Sequence, residues 1–444
     1  MSQLSMTKMR ASLGLLALLV ALLCVRTNLH ADVLLRWDQE EVPPPAVLGV
    51  SRVVIPANNS KAVENALARG YDVYLEQAAE SRVVQRQPQT ASGKVNVLAV
   101  DSRGTWPHIR TNWVTRRNDV LQVTGRSAQP WLESNVALFR ILQSTQPASP
   151  PILTYTWKPI TLAEIDEGPA LENYLIAIAE AGSVGGDLLL PLHERFEKDL
   201  LLGKPDARAA WKQIRRYLDF YSWNLPRRYR PMTSVGVVAA DPMRALEAMS
   251  LLARHNIAFD LLEPARVSAE RLAGLKLVIS MDQTPKHPNA AAASGTPPEH
   301  PNAAAASGAP PDGQPEALAE FVRGGGQVIR KAPGGDPNQF ALDVRQKLGR
   351  ENRVVDIWNG LTVLTTPYEE PNGNSVLVTV VNYAQQSLPV HVRVRGAFSQ
   401  VQYESPEHEA VLLPYEHRDG STEFVIPALR VGGRVFLTRT TASR

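Results

Sequence analysis

From Val33 to about Tyr221, short apolar runs alternate with amphipathic stretches, and this alternation limits the possible folds more than any other feature of the chain. The runs Val33–Trp37, Val53–Pro56, Val73–Leu75, Val95–Val100, Val120–Thr124, Ile152–Trp157 and Leu188–Leu192 are short and apolar, as strands are. Between them, Ser60–Arg69, Leu132–Leu142, Pro169–Ala181 and Ala207–Phe220 carry apolar residues at three- and four-residue spacing, which predicts helices with one buried face. Gly70 and Gly182 are expected as the C-caps of the first and third. Strand and helix in alternation predict a parallel sheet. Seven readable strands, where a closed barrel has eight, predict a (β/α) TIM-type barrel that either holds one further strand or is irregular.

After Pro231 the pattern restarts. Strands at Ser234–Ala239, Ala258–Leu262, Leu275–Ser280 and Gln327–Ile329, with helices at Pro242–His255, Ser268–Ala273 and Pro315–Val322, predict a flavodoxin-like α/β domain. One tandem duplication interrupts it, HPNAAAASGTPPE from His287 and HPNAAAASGAPPD from His300, a composition expected to form a disordered surface loop. From about Val354 the runs Leu361–Thr365, Ser375–Asn382, Pro389–Arg395, Val401–Tyr403, Ala410–Pro414, Glu423–Ile426 and Gly433–Thr438 lack helical periodicity, which predicts a small antiparallel β-sandwich. The expected boundaries are 32–230 for the barrel-like domain, 231–350 for the α/β domain with its insert at 284–314, and 351–444 for the sandwich.

Residues 1–31 have basic residues at Lys8, Arg10 and Arg26, an apolar run from Ala11 to Val25 and Ala31 at a plausible cleavage point, the layout of a signal peptide. The run is short of the roughly 20 apolar residues a membrane span needs. An exported protein, secreted or periplasmic, with no stable span after cleavage is therefore expected. The formal charge of +3 falls to zero without this leader, which also holds the single cysteine, Cys24. A neutral remainder argues against a nucleic-acid partner. Cofactor and metal motifs are absent: there is no Gly-x-Ser-x-Gly, His-Glu-x-x-His or P-loop sequence.

Two passages carry a family resemblance. EALAEFVRGGGQVI, Glu316–Ile329, is similar to the helix–glycine–strand passage of glutamine-amidotransferase-like domains, including a galactosidase trimerisation domain. VLVTVVNYAQQ, Val376–Gln386, with IPALRVGGRVFL, Ile426–Leu437, is similar to the C-terminal sandwiches of glycosidases. With the order barrel, α/β domain, sandwich, the chain resembles the family 42 β-galactosidases and other glycoside hydrolase-like proteins. The resemblance implies carbohydrate as ligand, the barrel mouth as site, and a homo-oligomer. The family's Asn-Glu pair at the end of strand four is not recognisable here.

In a parallel barrel the carboxyl ends of the strands carry the site. Asp38, Glu76, Asp101, Glu133, Lys158, His193 and Glu194 follow apolar runs. Glycoside cleavage needs two carboxyl groups, one protonated and one ionised. Asp101 and Glu133 are the expected pair, with Glu76 and Glu194 in reserve, although acids also favour helix starts for purely structural reasons. The loop AVDSRGTWPHIRTNW, Ala99–Trp113, offers Arg103, Trp106, His108 and Arg110 as a sugar-binding wall; the same residues could instead form an Arg/Trp-packed loop closing one end of the barrel. Trp131 and Trp157 are further sugar platforms, with Lys158 and His193 as polar contacts. Two functions follow from these residues: an exported glycoside hydrolase-like protein that binds or hydrolyses oligo- or polysaccharide, or a non-catalytic carbohydrate-binding or envelope scaffold protein with a degenerate barrel.

Overall fold

The computed structural model describes residues 33–76, 95–98, 108–113, 115–117, 120–122, 134–145, 151–159, 161–223, 225–281, 316–330, 337–384 and 386–439. The leader and the tandem duplication lie outside this set. The first region contains strands β1 (Val33–Arg36), β2 (Arg52–Pro56), β3 (Asp72–Glu76), β4 (Val95–Leu98) and β5 (His108–Asn112), an antiparallel hairpin of β6 (Thr115–Arg117) and β7 (Val120–Gln122), and strands β8 (Ile152–Thr156) and β9 (Asp187–Pro191). Seven of them form one sheet in the order β4-β3-β2-β1-β9-β8-β5, parallel throughout. Read as a circle this is nearly chain order, with the last strand back beside the first. No pairing joins β4 to β5 among the described residues, so the described sheet is open there.

Side chains alternate across the sheet. Leu34, Val54, Ile152 and Leu189 form a small cluster on one face, while Leu35, Val53, Val73 and Leu190 join the main core on the other. Burial on both faces explains why these strands read as continuous apolar runs. The expectation at Val120–Thr124 is corrected: that run ends in the hairpin, and His108–Asn112, expected as loop, takes the place in the sheet. Among the described residues β5 pairs only with β8, and it needs few apolar residues; Ile109 and Thr111 are buried.

The longer helices of this region are α1 (Ser60–Ala68), α2 (Ser134–Thr145), α3 (Leu171–Val184), α4 (Glu194–Leu201) and α5 (Pro205–Ser222), beside two short ones at Pro45–Leu48 and Leu162–Glu167. α1 starts on the side chain of Asn59, which accepts the Ala62 N–H at 3.2 Å, and Gly70 beyond its end has φ +85°, the left-handed value expected of a terminating glycine. Gly182 does not end α3. The helix runs on to Val184, and Gly185, at φ +78°, supplies the left-handed cap. A Cβ at Gly182 would lie 2.1 Å from the Tyr221 ring, so this glycine instead allows close approach of α3 and α5.

Every residue of α3 from Tyr174 to Val184 is buried, because the helix lies between the parallel sheet and the C-terminal strands. Its one buried acid, Glu180, accepts from Tyr155 Oη at 2.5 Å, Tyr383 Oη at 2.7 Å and Asn135 Nδ2 at 2.9 Å. Burial raises its carboxyl pKa above the usual range, and these three hydrogen bonds hold it back.

The middle region contains β10 (Arg230–Pro231), which pairs with a later strand, then β11 (Val235–Val238), α6 (Leu246–Arg254), β12 (Phe259–Leu262), β13 (Leu277–Ser280), α7 (Glu316–Arg323), β14 (Gln327–Ile329) and α8 (Pro337–Leu348). Its parallel sheet runs β12-β11-β13-β14, a doubly wound order. α8 has no counterpart in the expected elements. β15 (Val355–Trp358), β16 (Val363–Glu369), β17 (Ser375–Asn382), β18 (Leu388–Arg395), β19 (Phe398–Glu404), β20 (Val411–Leu412), β21 (Tyr415–Arg418), β22 (Ser421–Leu429) and β23 (Gly432–Arg439) form two antiparallel sheets, β10-β16-β17-β23-β19-β20 and β15-β18-β22-β21. Val378, Val392, Phe424 and Val435 lie in their shared core. The fold is thus mixed α/β, with parallel and antiparallel sheets. Among the described residues no helix is long and apolar enough to cross a membrane.

Candidate functional site

A cleft of about 350 Å³ opens at the carboxyl ends of β1, β3, β8 and β9. Parallel pairing places these ends along one edge: Arg36 lies beside Pro191, and Pro56 beside Glu76. Arg36 is the last residue of β1, and its guanidinium donates from Nη1 to Asp38 Oδ2 at 2.5 Å and from Nε to Glu76 Oε2 at 2.7 Å. One cation therefore bridges two carboxylates, whose bonded oxygens are no more than roughly 8 Å apart, the reach of two such bonds and one guanidinium. All three side chains keep 20–32% exposure. Burial lowers the Arg36 pKa, but the two carboxylates outweigh it and the net shift is upward.

Behind Asp38 stands Glu197, on α4 and fully buried. Its carboxylate accepts the Asp38 backbone N–H through both oxygens at 3.1 Å. Burial first, and then the charge of Asp38, push the Glu197 carboxyl well above the ordinary range, against opposing help from the Asp38 N–H, Gln39 and Arg36. Asp38 Oδ1 is buried without a hydrogen-bond partner among the described residues.

The opposite wall comes from β8, β9 and the start of α4. Trp157 follows β8, half-buried, and donates from Nε1 to the Glu164 carbonyl at 2.9 Å. Trp113, after β5, is buried and stacks on Tyr155 with centroids 4.9 Å apart, so it serves as packed wall. His193 caps α4: Nδ1 accepts the Arg195 N–H at 3.3 Å, which leaves Nε2 to donate to the Ile165 carbonyl at 2.9 Å. Both ring nitrogens are engaged, making His193 a strut between α4 and the short helix Leu162–Glu167. A Cβ at Gly168, where φ is +72°, would lie 2.3 Å from the imidazole, so the strut depends on that glycine. Glu194 is exposed and paired with Lys198 at 2.5 Å; that hydrogen bond lowers its carboxyl pKa.

Of the residues expected from sequence, Glu76, Trp157, His193 and Glu194 line this one cleft. Lys158 is exposed next to Trp157, outside the lining. Asp101, Glu133, Arg103, Trp106 and Trp131 lie outside the described residues. His108 and Arg110 fall in β5, corrected from loop to strand, and their side chains also lie outside the description. Sequence reasoning passed over Arg36, Glu197 and the role of Asp38. The signal was the RWD passage, Arg36 to Asp38, where a charge ends an apolar run and an acid follows two residues on. Glu197 gave none, since FEKDLL reads as an ordinary solvated helix face. Among the described residues no group of three or more His, Cys, Asp or Glu could hold a metal ion.

No family model matches the chain, and no curated protein does. Solved structures of similar shape include α-L-fucosidase isoenzyme 2 from Paenibacillus thiaminolyticus, at 10% identity and TM-score 0.45, over 68% of this chain and 62% of that one. A catalytic mutant of a GH42 β-galactosidase from G. stearothermophilus is similar at 8% identity and TM-score 0.40, over 86% of this chain and 66% of that one. The β-galactosidase from Rahnella sp. R3 is similar at 10% identity and TM-score 0.36, over 90% and 98%. This chain thus spans less than two thirds of the fucosidase and of the first galactosidase.

Proposed function

We propose that this is an exported glycoside hydrolase-like protein whose cleft binds a saccharide, and that its first sheet is an irregular (β/α) barrel with the cleft at its mouth. The observation that carries the reading is the Asp38–Arg36–Glu76 bridge beside Trp157 at the carboxyl edge of the sheet. Carboxylates and a guanidinium hold hydroxyl groups through planar, directional hydrogen bonds, and an indole offers a flat apolar face to ring C–H groups.

Hydrolysis is the second half of the same reading. A carboxyl spacing of about 5–5.5 Å serves retention and about 6.5–9.5 Å inversion, and the Arg36 bridge allows either. A general acid must also be protonated and open to substrate. Among the described acids of this edge, Glu197 has the raised pKa but is sealed behind Asp38, while Glu194 is held ionised by Lys198. The acid would then come from Asp101 or Glu133. The non-catalytic reading draws support from the same lock, because Arg36 neutralises Asp38 and Glu76, two of the three carboxylates that line the cleft.

Calorimetry of the protein against neutral oligosaccharides, paired with hydrolysis of aryl glycosides, separates these outcomes. Binding that Asp38→Asn and Glu76→Gln each weaken supports the cleft. Hydrolysis that Asp101→Asn or Glu133→Gln removes without loss of binding supports catalysis. Binding untouched by substitution at Asp38, Glu76 and Trp157 would sink the site.

A further inference from the structure

A second cavity, of about 1120 Å³, shares no lining residue with the cleft. It lies between the β1–β2 connection, the end of α1 and helices α4 and α5. Its origin is a short crossover: a single helical turn, Pro45–Leu48, stands where a βαβ connection ordinarily lays a full helix on the sheet. The space left is lined by Pro43, Leu48, Leu200, Leu201 and Trp211.

Two observations say what fits there. Trp211 is 5% exposed, lines the cavity, and its indole N–H has no acceptor among the described residues. Buried indole N–H groups ordinarily find one, so an oxygen of a bound molecule would complete it. Around it stand five cations, Arg69, Arg208, Lys212, Arg215 and Arg216, against the two acids Glu41 and Asp219. Arg208, Lys212 and Arg216 are exposed and follow one another at four-residue spacing along α5, an arrangement that repels itself. Arg215 is 3.8 Å from Asp219, and its guanidinium lies against Gly49, where a Cβ would be only 2.0 Å away.

The geometry points to a second binding site, for an anion that carries a hydrocarbon tail. The tail occupies the Leu48, Leu200 and Leu201 side, and the anionic oxygens meet the Trp211 N–H and the α5 cations. The chain's own leader is apolar enough to enter, but Lys8, Arg10 and Arg26 give it the wrong sign. This site is independent of the saccharide reading and stands or falls separately.

Calorimetry on the full chain with octyl phosphate tests it. One saturable site is expected, with inorganic phosphate and 1-octanol each at least about tenfold weaker, since each lacks half of the recognised chemistry. The Lys212→Ala/Arg216→Ala double substitution, on the exposed face, should lower octyl phosphate affinity about tenfold, and raised salt should do likewise. Trp211→Phe keeps an aromatic ring at the site and removes the donor, and a several-fold loss of octyl phosphate affinity is expected. If 1-octanol matches octyl phosphate, or the double substitution leaves affinity unmoved, the proposal is overturned. Flotation with phosphatidylglycerol vesicles identifies the source: co-flotation abolished by the double substitution assigns a bilayer headgroup, and binding to octyl phosphate alone assigns a free amphiphile.

Discussion

Glu180 and Glu197 are both withdrawn from solvent, on α3 and α4 respectively, yet they have opposite kinds of neighbour. Neutral donors surround Glu180: two tyrosine hydroxyls and an asparagine amide, drawn from β8, the C-terminal strands and α2. Glu197 meets the backbone N–H of Asp38 and, through it, a charged side chain that faces the cleft. Burial raises both carboxyl pKa values, so a raised pKa alone does not distinguish a structural acid from one coupled to a site. The neighbours do: Glu180 ties layers of the fold together, whereas Glu197 holds the backbone of Asp38, which lines the cleft.

The largest expected effect separates the two directly. Glu180→Leu removes the acceptor shared by three buried donors, of which Tyr155 Oη keeps the Ala177 carbonyl at 3.3 Å, and should cost about 3–5 kcal/mol in urea unfolding. Glu197→Leu strands one backbone N–H and removes an acid from beside Asp38, so about 1–2 kcal/mol is expected. Equal losses would break the comparison. Gly182→Ala drives a Cβ into the Tyr221 ring and should cost about 1–3 kcal/mol by the same measurement.

Next comes pH. Both acids have raised values in the folded chain, so between the ordinary carboxyl range and those raised values the folded protein holds more protons than the unfolded chain. Their contribution to stability is complete below that window and is lost as pH climbs through it. Glu180→Gln and Glu197→Gln should each flatten the profile of unfolding free energy against pH. Only Glu197→Gln should also shift the pH dependence of saccharide binding. Matching binding profiles for the two variants would remove Glu197 from the site. The smallest effect belongs to Glu194→Gln, which breaks an exposed pair with Lys198 and should change stability by no more than about 0.5 kcal/mol.

Much of this arrangement was legible in the sequence because burial on both faces writes strands as unbroken apolar runs. β1, β2, β3, β8 and β9 were each found within a residue or two. β5 was missed because it buries only Ile109 and Thr111 among its described side chains, and His108, Arg110 and Asn112 alternating with them read as loop. Gly182 looked like a helix stop because glycine serves both termination and close approach, and only the position of Tyr221 decides between them. Strand ends directed attention to Glu76, Trp157, His193 and Glu194, which line one cleft. Arg36 escaped notice because pairing across β1 and β3 is a property of the sheet, invisible along the chain, and His193 proved a strut because both its partners are backbone atoms.

The burial of α3 has a consequence for any attempt to divide the protein. Tyr368 Oη and Thr379 Oγ1, from β16 and β17, both donate to the Ser183 carbonyl at 2.9 Å, near the end of that helix. Removing the C-terminal strands would uncover a helix with no polar side to turn toward water, and would leave the Glu180 carboxyl short of one of its three donors. A fragment ending near residue 350 is therefore expected to aggregate when expressed. A saccharide assay on it would report misfolding and could not be read as a test of the cleft.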